Sequence, residues 1–206
     1  MRALTPGFRR ARPAKLAVGM LTLGTLLVPS VATADDGGSG LPPSPPPGAN
    51  ASLPAASAAA SCPGANSASG GAVRFVRALI CLHDLERRKY GLSRLRRNRT
   101  LARAAREHAR DMVRRHYASH LSPDGTGPFS RAASAGYGRG RRFRVGENIL
   151  FWSSVLTPSE VMRKWMRSPV HRGDILRRGW KNFGVGIVMA SPQGRRGLTL
   201  DVLFGT

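Results

Sequence analysis

The stretch GVGIVMASPQGRRGLTLDVLF, residues 184–204, decides how the rest of the chain is read. It holds two apolar, β-like runs, Gly184 to Ala190 and Leu198 to Phe204. Between them Ser191-Pro192-Gln193-Gly194 is a hairpin-like link of turn-forming residues. A third run, Val145 to Trp152 (VGENILFW), has the same character and can join the pair in a small sheet.

Upstream of these runs the apolar period is that of a helix. Val73, Val76, Leu79, Ile80, Leu82 and Leu85 share one broad face, and Gly91 is placed to end that helix as a C-terminal cap. Asn98 is a good N-cap for a second helix. Along it Leu101, Ala104, Ala105, His108, Met112 and Val113 face inward, with Arg103, Arg106, Arg110 and Arg114 on the other side. His108 on that apolar face reads as a core histidine with its hydrogen bonds satisfied. Ser122-Pro123-Asp124-Gly125 is a turn, residues 129–135 form a short helix, and residues 136–140 are loop. Thr157-Pro158-Ser159-Glu160 supplies an N-cap, a proline at the first helical position and a glutamate at the third. That is a capping box, which assigns Glu160 to structure and not to chemistry. Val161 and Trp165 face inward from this helix, and Pro169 stops it. Helices gathered first and strands last predict an α+β fold, with helices packed on a small, mainly antiparallel sheet.

The first 34 residues read as a secretory signal peptide. Arg2, Arg9, Arg10, Arg12 and Lys15 precede an apolar run from Leu16 to Val31, and Ala32-Thr33-Ala34 fits signal peptidase. The run is shorter than the roughly 20 residues that span a bilayer. No transmembrane segment is expected after cleavage. Residues 35–71 are Pro, Ala, Ser and Gly with almost nothing to bury, a semi-extended linker, and residues 72–206 are the domain. Cys62 and Cys81 make an even count in an exported chain, so a disulfide is expected. It would tether the linker to the first helix by closing a loop of about 20 residues, worth about 3 kcal/mol in the chain-entropy treatment.

The chain carries 33 Lys and Arg against 11 Asp and Glu, a formal charge of +22, which falls to +17 without the five basic residues of the leader. Such a charge attracts nucleic acid, anionic lipid or an acidic cell wall. The basic residues are spread over helix faces and loops with no dense block, so no specific nucleic-acid partner is expected.

There is no phosphate-binding glycine loop, zinc-knuckle spacing, H-E-x-x-H helix or nucleophile elbow. What remains is a dispersed set at element ends: His120 in YASH, Glu147 in VGENI and His171 in SPVHR. Two imidazoles and a carboxylate suit zinc with a fourth position left for water, and they equally suit an acid–base pair. Ser168 with His171 and Glu147 would be a hydrolytic triad, but serine before proline is a turn residue first. Arg172-Gly173-Asp174 precedes the apolar Ile175 and Leu176, and so reads as part of a helical turn, not as an exposed adhesion tip.

From Cys62 to Gly205 the chain resembles the CAP superfamily (SCP/TAPS, PR-1-like) in its bacterial secreted form. The resemblance runs through CLHDLERRKYGLSRL, LARAAREHARDM, YASHLSPDG, RAASAGY, VGENI, WMRSPVHRGDIL, FGVGIVM and DVLFG, in the family's order. It implies a three-layer α-β-α sandwich. It also implies a cleft lined by two histidines and two glutamates, of which His120, His171 and Glu147 match by motif. Where many members carry the second glutamate, three residues after Trp165, this chain has Ser168. The histidine pair, His120 and His171, is the metal-binding pair that the resemblance implies, with zinc as the candidate ion. Asn148 is implied to hold the loop through bonds to backbone.

The expectation is therefore a secreted, extracellular or wall-associated monomeric protein, a binding module for a lipid, cell-wall polymer or protein ligand. The alternatives are a metal- or His/Glu-assisted hydrolase of peptide or wall material, with His120, Glu147 and His171 as the catalytic group, and a basic polyanion-binding surface protein.

Overall fold

The capping signals act where the sequence puts them. The computed structural model describes residues 61–194 and 196–206, and the leader read over residues 1–34 and most of the linker lie outside the described residues. Helix α1 (Gly71–Lys89) ends at Gly91, whose φ of 63° is the left-handed conformation that glycine adopts without strain. Strand β1 (Arg96–Arg97) leads into α2 (Arg99–Arg114). The Asn98 side chain accepts from the Thr100 and Leu101 amides at 2.9 and 3.0 Å. A short α3 (Pro128–Ser134) precedes strand β2 (Val145–Trp152). Helix α4 (Pro158–Arg167) opens on the capping box: the Thr157 amide donates to Glu160 Oε2 at 2.7 Å, and the Glu160 amide donates to Thr157 Oγ1 at 3.2 Å. Ser168 ends α4 and begins α5 (Pro169–Leu176), so Pro169 stops one helix by starting another. Strands β3 (Asn182–Val188) and β4 (Leu198–Gly205) close the chain. No helix among the described residues is long and apolar enough to cross a membrane.

The four strands lie in the order β1-β3-β4-β2. The β3–β4 and β4–β2 pairs are antiparallel and β1–β3 is parallel. The third run therefore pairs with the last strand, leaving β2 at the edge. On one face Leu198, Leu200, Val202 and Phe204 of β4 pack with α1, α4 and α5. On the other, Leu203 packs with Leu101, Ala104 and Ala105 of α2 and Ala132 of α3. This is an α+β sandwich of three layers, α-β-α.

The second face is closed by a missing pair of side chains. A Cβ on Gly184 would overlap the backbone of Leu101 and Ala102, and one on Gly186 would overlap Ala105 and Arg106. Helix α2 consequently sits directly on β3, backbone against backbone. The disulfide Cys62–Cys81 is formed across 19 residues. Cys62 and Ala65 are fully buried, and the Ser159 amide donates to the Ala65 carbonyl, so residues just before α1 pack against the start of α4.

Arg172-Gly173-Asp174 lies inside α5 with Asp174 turned inward, its side chain 16% exposed. Its carboxylate lies beside Gly146 and Trp180, and Arg177 Nε stands 3.9 Å away. Burial pushes this carboxyl up to about 6, with the negative charge of Glu147 adding to the effect.

Gly186→Ala is expected to lower unfolding stability by about 3 kcal/mol or more in urea titration, because backbone must move to admit the methyl. Asp174 has the opposite sign. A carboxyl raised in the folded state stabilises below its unfolded value of about 4 and loses that contribution as pH climbs through about 6. Asp174→Asn should therefore be more stable than wild type at pH 8 by about 2–3 kcal/mol and nearly equal to it at pH 4. Equal stabilities at both pH values would contradict the burial.

Candidate functional site

The cleft forms around the exposed edge of β2, where the two outer layers meet. Residues of β2 alternate between the layers. Glu147 points to the α2 side and Asn148 to the α5 side, as their partners Leu203 and Val202 require. Asn148 Nδ2 donates to the His171 carbonyl at 3.0 Å, joining the first turn of α5 to the sheet edge.

Glu147 is the anchor. Its side chain is only 1% exposed, yet it carries two charge-assisted bonds. Arg131 Nη2 donates to Oε1 at 2.7 Å, and His120 Nδ1 donates to Oε2 at 2.6 Å. Arg131 also donates to the carbonyls of His120 and Thr126, so one guanidinium fastens the loop after α2 to the carboxylate. Burial works to raise the Glu147 carboxyl, but the bonds from His120 and Arg131 outweigh it and hold the group below its ordinary range. The bond to Glu147 in turn raises His120.

His171 is held differently. Its Nδ1 lies 2.8 Å from Ser168 Oγ, one helical turn back. Burial, and then the charge of nearby His120, lower its proton affinity. Both imidazoles thus have Nδ1 engaged by a neighbour and no hydrogen bond to Nε2 among the described residues. Glu147 is committed to His120 and Arg131, so Ser168, His171 and Glu147 do not assemble into a triad. Ser168 instead fixes a ring that the second glutamate would otherwise flank.

Beyond His171 the cleft continues as an apolar groove of about 670 Å³. Ile149, Phe151, Trp152 and Trp165 line it, with Ser168 and His171 at one end. Phe151 and Trp152 are 38% and 42% exposed, large apolar surfaces left uncovered by the fold. Lys164 Nζ stands 3.7 Å over the Trp152 ring, a cation at the groove's rim.

Three residues near the site differ from what the sequence leads one to expect. Arg131 sits in a short helix with nothing in its local pattern to mark it. Asp201 is fully buried inside an apolar strand, where strand patterning gives it no role. A charged residue at the centre of TLDVLF is nonetheless a usable signal, since an unpartnered buried charge is costly. His108 is buried as expected, but it is not satisfied: neither ring nitrogen has a hydrogen-bond partner among the described residues.

The sequence profile of the CAP, or cysteine-rich secretory protein, family matches residues 81–202. The uncharacterized protein YkwD of Bacillus subtilis is 36% identical over 110 residues. That alignment covers 53% of this chain and 41% of YkwD, so the match spans about two-fifths of that relative's length. Among solved structures, an outer surface protein of Borrelia burgdorferi superposes with a TM-score of 0.55 at 20% identity. The superposition covers 64% of this chain and 91% of that one. An extracellular SCP-domain protein of Bacillus anthracis gives 0.52 at 22% identity, covering 66% and 44%. At such identities the two structures speak for the fold alone. The matched profile, the three-layer sandwich and the ordered motifs together show that this chain belongs to the CAP family of cysteine-rich secretory proteins.

Proposed function

We propose that the protein is a secreted CAP-domain binding module that takes an apolar, lipid-like ligand in the groove and a divalent metal, zinc, at His120 and His171. What carries this reading is the way both imidazoles are tied through Nδ1, with His171 at the end of an uncovered apolar groove. A histidine that donates its Nδ1–H to a carboxylate or hydroxyl presents the Nε2 lone pair in a fixed direction, the arrangement that orients metal ligands. Glu147 and Ser168 are the two partners here. The groove has the size and apolar lining of a small-molecule site, and Trp152 and Lys164 give it an amphipathic rim. A metal held there would supply a positive centre toward which the polar head of a lipid, or a wall or protein ligand, could turn. The basic and then apolar leader read in the sequence supports export. Hydrolysis is the weaker reading, since neither a second free carboxylate nor a completed triad faces His171.

In zinc titrations followed by calorimetry, His120→Ala and His171→Ala should each abolish the cleft site. Ser168→Ala should weaken it by about 10–100-fold. Glu147 makes His120 hold its proton to higher pH, and zinc must displace that proton, so affinity should rise from pH 6 to pH 8 with proton release. Titrations unchanged in both histidine variants would sink the metal reading. Organic extracts of the purified full chain should contain lipid, and Trp152→Ala should reduce the amount. Lipid-free extracts, together with no change in tryptophan fluorescence on adding fatty acid, would contradict the groove's role.

A further inference from the structure

Behind Glu147, on the α2 side of the sheet, lies a cluster of buried polar side chains that the cleft chemistry does not use. Asp201 of β4 pairs in register with Ile149 on one side and Gly186 on the other. Glu147, two residues before Ile149, therefore projects from the same face as Asp201. Helix α2, seated on Gly184 and Gly186, brings His108 down over both. One ligand atom each from His108, Glu147 and Asp201 lie within 4.8 Å of one another. The His108 and Asp201 side chains are 0% exposed and that of Glu147 is 1% exposed.

From this geometry we infer a second, fully enclosed divalent-cation site, formed by His108 Nδ1 and the carboxylates of Glu147 and Asp201. Among the described residues both oxygens of Asp201 and both nitrogens of His108 lack a hydrogen bond of normal geometry, although the Asp201 carboxyl stands close enough to Glu147 for the two to contend for a proton. Such orphaned groups cost about 1–3 kcal/mol each unless something fills the space between them. His108 Nδ1 and Asp201 Oδ2 are 3.9 Å apart. That is too long for a hydrogen bond and a few tenths of an ångström wider than the roughly 3.3–3.6 Å between two ligands of a tetrahedral ion, a gap that small side-chain rotations close. Arg131 pairs directly with Glu147 and reaches Asp201 and His108 only through space, while Glu147 and Asp111 add negative charge to the field around His108.

One imidazole and two carboxylates select a borderline ion, zinc first, then manganese or iron(II). Calcium and magnesium ask for six or more oxygens or retained waters, which this cluster does not offer. With all three ligand side chains buried the site is structural: it would clamp α2, β2 and β4 together and enter during folding. It is distinct from the cleft pair and shares only the Glu147 carboxylate, whose oxygens also accept from His120 and Arg131 and would offer the ion a remaining lone pair.

The test removes the cleft first. The full chain carrying His120→Ala and His171→Ala, its disulfide intact, is unfolded in guanidinium, refolded with zinc chloride or with EDTA, dialysed, and assayed for metal by mass spectrometry. Stoichiometric zinc retained by this protein, with a higher Tm than the EDTA-refolded form, is the expected result. Asp201→Asn in the same background should lose the zinc while keeping the circular dichroism and Tm of the EDTA form. If that variant does not fold, His108→Gln is read in its place with the same expectation. Absence of bound zinc in the zinc-refolded background protein would mean that the cluster holds only a proton or a water, and would overturn the site. Zinc retained equally after Asp201→Asn or His108→Gln would overturn it as well. Failure of the cleft reading looks different: wild type and the double histidine variant would then take up equal zinc.

Discussion

The closeness of α2 to the sheet is the constraint from which the rest follows. Two glycines on β3, Gly184 and Gly186, let the helix backbone rest on the strand where a methyl group would hold it off. The helix is amphipathic, with Ala104 and Ala105 as the small residues of its buried stripe, so both partners of the contact are stripped to backbone and methyl. Packing this tight leaves little tolerance in where the helix ends. It fixes His108 over the sheet and delivers the following loop, with His120, to the edge strand.

At that edge a single carboxylate connects three elements. Glu147 from β2 receives His120 from the loop and Arg131 from α3, and its burial makes both bonds strong. Across the strand, Asn148 performs the corresponding task for α5 by holding the His171 carbonyl. Two adjacent residues of one strand, pointing to opposite faces, thereby position the two histidines from opposite layers of the sandwich. The alternation of a β-strand is the geometric device behind the cleft. Further along, Phe151 and Trp152 point to opposite faces and are both exposed, because the end of β2 leaves the cover of the helices where the groove begins.

Much of this is legible in local sequence, and what is not has physical reasons. The β2 run reads as residues 145–152 because its apolar residues are bounded by loop on either side, and the structure has those limits. The capping box at Thr157 and the N-cap at Asn98 act within four residues, so sequence suffices to find them. Strand β1 escapes such a reading. It is two arginines, with no apolar pattern, whose pairing partner lies more than eighty residues away. The helical period assigns Val73 to the buried face of the first helix, but it is 66% exposed, because α1 buries Phe75, Ala78, Leu79 and Leu82 and its first turn overhangs. The site divides in the same way. His120, Glu147 and His171 stand at element ends and in motifs, where polar residues attract notice. Arg131 and Asp201 gain their meaning only from the register of β2 against β4 and from the seat of α2, neither of which a local pattern encodes.

The claim on which the functional reading turns is that both cleft imidazoles are fixed through Nδ1 and offer Nε2. Long-range nitrogen–proton correlation spectra at pH 8 report the tautomer of each ring directly. With five histidines in the chain, His120→Ala and His171→Ala spectra assign the two signals. Nδ1–H forms for both, with an unprotonated Nε2 on each, are the result the geometry predicts. An Nε2–H tautomer at His171, with Ser168 donating its hydroxyl to Nδ1, would contradict it.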